Sequence, residues 1–301
     1  MLSLATHACV PTLVIDAKSD TSAGSTMIGS GATGSTGAGG MTGAGGSGNA
    51  CGDVLTDDAN CGVCGNACAF NASCVAGTCA ALPCHALTFD GKDDYVTVPA
   101  SADFAYGAEF TVEWWMRANA GVDYPRILSH EATMGAPNTL YTSWSIDGVN
   151  KLGQVRFQTA NNMLTQASTT LVALGEWAHV AAVITGGNKI TLFVNGAKSD
   201  TRPAAFSGDT TQVALGIGAQ LKYLTDYPYG GGIGPLRLSK VARYAGAFSP
   251  TWGWKADGDT LAVWNMFEGA GTTLLDQSAG KHDGTLVGPG WETLAVCPGG
   301  S

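Results

Sequence analysis

Three carboxylates crowd one short turn of the sequence, where Asp90, Asp93 and Asp94 surround Gly91 and Lys92. Calcium takes six to eight oxygen ligands, many of them carboxylates and loop carbonyls. This turn, with Asp276 returning from late in the chain, is therefore a candidate calcium site, and solvated turn acids are the plain alternative. Other chemistry is harder to assemble. Glu109 and Glu113 are four residues apart, roughly 13 Å on a regular strand, whereas a retaining glycosidase needs its two carboxyls about 5–5.5 Å apart. His130-Glu131-Ala132-Thr133-Met134 starts like a zinc-protease helix but has Met134 in place of the second histidine. Gly216-Ile217-Gly218 lacks the third glycine and the following helix of a nucleotide fingerprint. Asp257-Gly258-Asp259 reads as a turn. The pattern predicts a protein that is not an enzyme and needs no cofactor beyond calcium.

Of the nine cysteines, six fall between Cys51 and Cys79, and the others are Cys9, Cys84 and Cys297. Dense cysteines in a stretch with few large apolar residues predict a disulfide framework formed in an oxidising compartment, extracellular or at the cell surface. Three bridges are expected among Cys51, Cys61, Cys64, Cys68, Cys74 and Cys79, their connectivity open. Zinc held by Cys61 and Cys64 is the competing reading. The spacing C-x9-C-x2-C-x3-C-x5-C-x4-C, with Cys61-Gly62-Val63-Cys64-Gly65-Asn66-Ala67-Cys68 at its centre, resembles the Stig1-like cysteine modules of secreted proteins.

The chain is acidic, with a formal net charge of -9 and a pI near 4.8. A phosphate backbone would be repelled, so nucleic acid is excluded as a partner. No apolar run is long enough to span a bilayer. Leu4-Ala5-Thr6-His7-Ala8-Cys9 is similar to the end of a bacterial lipoprotein signal, although Thr6 stands where that pattern carries leucine. The expectation is a start further upstream and lipidation at Cys9, the one membrane attachment foreseen, as in an outer-membrane lipoprotein. Residues 1–16 would be the remnant of that signal. Residues 17–50, nearly all Gly, Ser, Thr and Ala, cannot bury enough apolar surface to order themselves and form a tether of roughly 30 Å mean reach. Residues 51–83 are the cysteine-rich module, and 84–297 the main domain.

Within that domain, apolar residues alternate with polar ones. Phe110, Val112, Trp114 and Met116 share one face of a strand, with Thr111, Glu113, Trp115 and Arg117 on the other. Val155 and Phe157 alternate with Gln154, Arg156 and Gln158, and Val180, Ala182 and Ile184 with His179, Ala181 and Val183. Asn195-Gly196 is a hairpin turn pair. Many short strands at this spacing predict an all-β, two-sheet antiparallel sandwich.

The segment Leu87-Thr88-Phe89-Asp90-Gly91-Lys92-Asp93-Asp94-Tyr95-Val96-Thr97-Val98-Pro99 resembles the opening strands of LamG-like jelly-roll domains. Phe110 to Trp115, Glu176 to Ala181, Ile190 to Gly196 and Ile233 to Ser239 are similar to later pieces of the same family, in the same order, and Trp264 to Thr272 is similar to a stretch often found in these domains. The resemblance implies a concanavalin A-like jelly roll with one concave sheet. Trp254 to Trp291 more often precedes the first strand pair in such domains, so it is expected to lie beside it. On that placement Cys84 and Cys297 would bridge the ends of the domain; otherwise Cys84 belongs to the cysteine-rich module and Cys297 stays free. The family's glycosidase motif E-x-D-x-x-E is absent. If apolar faces meet in the core, Glu113, Trp115, Tyr141, Arg156, Gln158 and His179 face away from it, and aromatic platforms beside hydrogen-bonding groups suit sugar rings. The function expected is an exported, non-catalytic binding or adhesion protein recognising carbohydrate. Adhesion to an extracellular protein, with the sandwich as spacer, is the alternative.

Overall fold

The structure is a computed structural model and describes residues 51, 53–69, 71–119, 125–130, 140–146, 152–159, 164–203 and 210–299. Cys9 and the 17–50 segment lie outside the described residues. Among those described, the chain is strand and turn with a single 3-10 turn at Ala102–Phe104. β1 (Ala72–Val75) and β2 (Thr78–Ala81) pair as a hairpin in the cysteine-rich stretch. There follow β3 (Cys84–Asp90), β4 (Tyr95–Val98), β5 (Phe110–Ala118), β6 (Arg126–His130), β7 (Leu140–Ile146) and β8 (Leu152–Thr159). Next come β9 (Leu164–Ala173), β10 (Ala178–Thr185), β11 (Lys189–Val194), β12 (Ala197–Pro203), β13 (Leu215–Ile217) and β14 (Gly230–Ser239). The last four are β15 (Thr260–Trp264), β16 (Thr273–Leu274), β17 (Gly284–Val287) and β18 (Gly290–Leu294).

The cysteine-rich stretch is held by Cys51–Cys64, Cys61–Cys74 and Cys68–Cys79, so its six sulfurs are consumed in bridges and the zinc reading falls.

Beyond it, the strands form two antiparallel sheets. One runs β12-β11-β10-β5-β14-β3-β18, with β15 also pairing β14, and the other β16-β17-β4-β13-β6-β7-β8-β9. Period-2 alternation drives their assembly. Phe110, Val112, Trp114 and Met116 of β5 meet Val155 and Phe157 of β8 in one buried cluster with Leu236, Leu238 and Trp264. Trp114 and Trp264 are fully buried; truncating a side chain of that size in a close-packed core costs about 3–5 kcal/mol. At one margin, the Thr169 and Thr170 N–H groups of β9 both donate to Ser199 Oγ of β12 at 2.9 Å, tying the sheets together.

Two features position the site. First, β3 and β18 are neighbours in one sheet (Thr88 opposite Gly290), while β4 and β17 are neighbours in the other (Tyr95 opposite Val287). The β3–β4 and β17–β18 turns therefore step between the sheets side by side at the sandwich rim. The late stretch of the chain does lie beside the first strands. Second, after β14 the chain crosses the outer face of the β5 sheet as a strap, residues 240–256. It docks on the β11–β12 turn, where Asn195 and Gly196 both have positive φ, 50° and 74°, as a primed hairpin turn requires. The Phe248 N–H donates to the Gly196 carbonyl at 3.0 Å, and the Phe248 carbonyl occupies the space a Cβ on Gly196 would need.

Two expectations follow. Cys84 and Cys297, 213 positions apart, are bridged; replacing both with serine is expected to lower unfolding free energy by about 3–5 kcal/mol in a denaturant titration. His130 is sealed against Phe104 and Tyr106, and burial drives its pKa from 6.5 down to about 3 despite an opposing backbone hydrogen bond at Val213. The unfolded chain then binds a proton that the native state does not. Stability present above pH 6.5 should fall as pH drops toward 3, by up to about 1.4 kcal/mol per unit. His130→Phe should flatten that slope in chemical denaturation at pH 7 and at pH 5.

Candidate functional site

The six residues expected to line one sugar-binding face do not share one. Glu113, Trp115 and His179 sit on β5 and β10 of one sheet. Tyr141, Arg156 and Gln158 belong to β7 and β8 of the other, where the register sets Tyr141 opposite Gln158 and Ser143 opposite Arg156. Glu113 and His179 are completely buried and Trp115 is 3% exposed. They do point away from the core. The strap covers them, with Trp252, Trp254, Phe248 and Tyr244 laid over that face.

Under the strap, Glu113 is the hub of a closed polar network. Arg237 Nε donates to Glu113 Oε1 at 2.7 Å, and the Tyr244 hydroxyl donates to Oε2 at 2.7 Å. His179 Nε2 lies 3.3 Å from Oε2. The indole of Trp254 stacks 5.0 Å from the Arg237 guanidinium. Burial alone would push the Glu113 carboxyl up, but the His179 contact and the Arg237 charge outweigh it and hold it below the ordinary glutamate value. Burial and the neighbouring carboxylate push the Tyr244 hydroxyl up, so it stays a donor. The network is shut off from solvent and ties the strap to the sheet beneath it.

The open part of this region is the rim cleft. It has a volume of about 400 Å³ and is lined by Thr88, Phe89, Asp90, Asp94, Gly288 and Gly290, from the paired β3–β4 and β17–β18 turns. Each of Asp90, Asp93 and Asp94 offers one carboxylate oxygen within 4.8 Å of the others. Oxygens on opposite sides of one calcium ion stand about 5 Å apart, so the donor set fits a single hard divalent cation. The Asp90 N–H donates to Asp94 Oδ2 at 2.8 Å and the Lys92 N–H to Asp90 Oδ1 at 2.8 Å, which fixes two carboxylates in place. Burial pushes the Asp94 carboxyl up, while the Lys92 N–H leads the interactions holding Asp90 down. Gly288 has φ +93°, and any Cβ there would overlap the Asp94 carboxylate. Only glycine leaves the carboxylate room.

Asp276 does not join this group. Its carboxylate accepts from the backbone N–H groups of Val263, Ser278 and His282 at 2.8–2.9 Å and from the Ser278 hydroxyl at 2.7 Å. It is spent on shaping its own turn. Asp257 is likewise a turn residue, paired through both oxygens with Arg243. The sequence reading missed Thr88, Gly288 and Gly290. The signal available was the Gly288-Pro289-Gly290 turn, which matters only once β17 and β18 are known to flank the first strands.

The buried ion pair has a measurable signature. Arg237→Met strands the Glu113 carboxylate and should cost about 3–5 kcal/mol, with much of that recovered in the Arg237→Met/Glu113→Gln double variant. Because the Glu113 pKa is depressed, its contribution is present above pH 4.5 and fades as pH falls through the folded value. Thermal unfolding of the wild type should therefore show a steeper acid decline than that of Glu113→Gln.

Comparison with known proteins accords with this architecture. The family described as the concanavalin A-like lectin/glucanases superfamily matches residues 90–247, just over half the chain. The stigma-specific STIG1-like protein family matches residues 36–88. A protein from Bacteroides ovatus, provisionally described as carbohydrate binding, superposes with a TM-score of 0.53 at 18% identity over 73% of this chain and 62% of its own. The chain thus spans somewhat under two thirds of that relative. Domains LG4-5 of the mouse laminin alpha1 chain align with a TM-score of 0.40 at 15% identity, over 56% of this chain and 45% of theirs. The CBM40 of a Ruminococcus gnavus sialidase bound to alpha2,3 sialyllactose aligns with a TM-score of 0.40 at 12% identity, over 53% and 91%. No curated protein matches the sequence significantly. The family match over residues 90–247, on a two-sheet antiparallel sandwich, places this chain in the concanavalin A-like lectin/glucanase superfamily.

Proposed function

We propose that this chain is an exported, non-catalytic binding protein that recognises carbohydrate at the rim cleft, with calcium held by Asp90, Asp93 and Asp94. The observation that carries the reading is the cluster of three carboxylates, two of which, Asp90 and Asp94, line an open cleft bounded by Gly288 and Gly290. A calcium ion there would supply positive charge and open coordination positions to paired sugar hydroxyls. Thr88 adds a hydroxyl beside it, and the glycines let a ring approach the backbone closely. Glu113, the carboxylate that a hydrolase reading would enlist, is sealed and neutralised, which favours binding over catalysis. The disulfides and the fold shared with a provisionally described carbohydrate-binding protein support an extracellular setting. A lipid anchor at Cys9 and a 17–50 tether complete the proposal.

A second reading has its own observation. In the cysteine-rich stretch Leu55, Val63 and Val75 are 55%, 63% and 58% exposed, an unusual set of large apolar side chains for so small a module. They favour protein adhesion through that module.

The test is a glycan array probed with the whole chain in calcium and again in chelator. Saturable binding is expected, lost in chelator and weakened at least about tenfold by Asp94→Asn. A blank array from protein shown to be folded would overturn the carbohydrate reading in favour of adhesion through Leu55, Val63 and Val75.

A further inference from the structure

The cysteine-rich stretch combines exposed aliphatic side chains with charge of a single sign. Between Cys51 and Pro83 the sequence has three aspartates, Asp53, Asp57 and Asp58, and no lysine, arginine or histidine. Leu55, Val63 and Val75 are each more than half exposed, and they surround one backbone junction. At that junction the Gly62 N–H donates to the Val54 carbonyl at 2.7 Å and the Gly77 N–H to the Leu55 carbonyl at 3.0 Å. Val63 directly follows Gly62, and Val75, at the end of β1, stands two residues before Gly77. The interior cannot take these side chains in. Its centre holds the Cys61–Cys74 bridge, both of whose cysteines are buried, and the other two bridges fix the chain around it. Apolar groups held out by so constrained a frame form a surface that is already in place, so covering them costs little ordering.

Carboxylates are interleaved with these aliphatic groups. Asp53 accepts from the Leu55 N–H at 2.9 Å and from the Thr56 hydroxyl at 2.8 Å. Asp58 accepts at 2.6 Å from the N–H of Cys74, the residue before Val75. The Leu55 N–H, ahead of the Thr56 hydroxyl, holds the Asp53 carboxyl below the ordinary aspartate value, so it is ionised at neutral pH. Charge then decides among occupants. A second copy laid on this surface about a two-fold axis would set aspartates against aspartates. The anionic surface of a bilayer would be repelled. A segment with aliphatic groups on one side and cations beside them satisfies both parts of the surface.

We infer that this surface docks a basic amphipathic peptide segment of a partner protein, whose aliphatic face covers Leu55, Val63 and Val75 while its lysines or arginines meet Asp53, Asp57 and Asp58. This deepens the adhesion reading above and rests on it, and it is independent of the rim cleft.

The test titrates the whole chain into a fluorescently labelled helical peptide of about fourteen leucines and lysines, apolar along one face, and reads its anisotropy. Saturable binding is expected, weakening about tenfold between about 50 and 500 mM salt. The same peptide with glutamate in place of lysine should bind at least about tenfold more weakly. Val63→Ser should weaken binding at least about fivefold. Val296→Ser, at a side chain 80% exposed but outside the cysteine-rich stretch, should leave it within about twofold. Asp53→Asn keeps an oxygen for the Leu55 N–H and should flatten the salt dependence. Masses before and after reduction check that every variant forms its bridges. Equal binding of both peptides, lost in Val63→Ser, would overturn the basic class and leave adhesion through this surface standing. Basic-peptide binding that ignores Val63→Ser would overturn the site and the adhesion reading with it. Self-association in sedimentation that Val63→Ser abolishes would assign the surface to a second copy and overturn the inference. No binding of the basic peptide would also overturn it.

Discussion

A carboxylate cannot remain charged in the middle of a sheet, cut off from water, unless something pairs with it. Glu113 lies there on β5, and most of the outer face of its sheet follows from how it is satisfied. Arg237 reaches it from β14, His179 from β10 and Tyr244 from the strap. Three elements distant in sequence must be in place before the charge is quenched. The strap supplies the hydroxyl donor and excludes water, and Trp254 shields the guanidinium on which the pairing depends. Arg243, at the strap's beginning, is tied to Asp257 just beyond its end, so strap and network hold each other.

This arrangement also decides where a ligand can go. In an ordinary antiparallel sandwich the outer face is the solvated one. Here much of it is turned into a second, smaller core built from Trp115, Trp252, Trp254 and Val263. The Cys84–Cys297 bridge belongs to the same layer. Near Gly299, the last residue described, the backbone passes close to the Trp115 ring. Among the described residues, the rim cleft beside Gly288 and Gly290 lies outside the strap's cover and stays open.

Much of the architecture was legible in the residues. Alternation along β5, β8 and β10 identified the core-facing set, because burying one face of a pleated strand selects every second side chain. Asn195-Gly196 announced a tight hairpin, since both positions need positive φ. Six closely spaced cysteines in an apolar-poor stretch announced bridges, though not which joined which. The Asp90–Asp94 turn was legible as an acidic cluster because its members are close in sequence and need no distant partner to come together.

Alternation states which way a side chain points, not what comes to cover it. Glu113, Trp115 and His179 were rightly oriented away from the core, yet they are buried because residues 240–256 return over them, contacts that span 69 positions at His179 and more than a hundred at Glu113 and Trp115. Asp276 looked available to a metal, yet its turn folds so that neighbouring N–H groups claim its oxygens first. Gly288 and Gly290 carry no chemical signature of their own, and they matter only because β17 and β18 settle beside β4 and β3. The sequence by itself determined periodicity, turn chemistry and local charge. Tertiary structure decided which surfaces remain in contact with water, because that depends on long-range docking that no local pattern encodes.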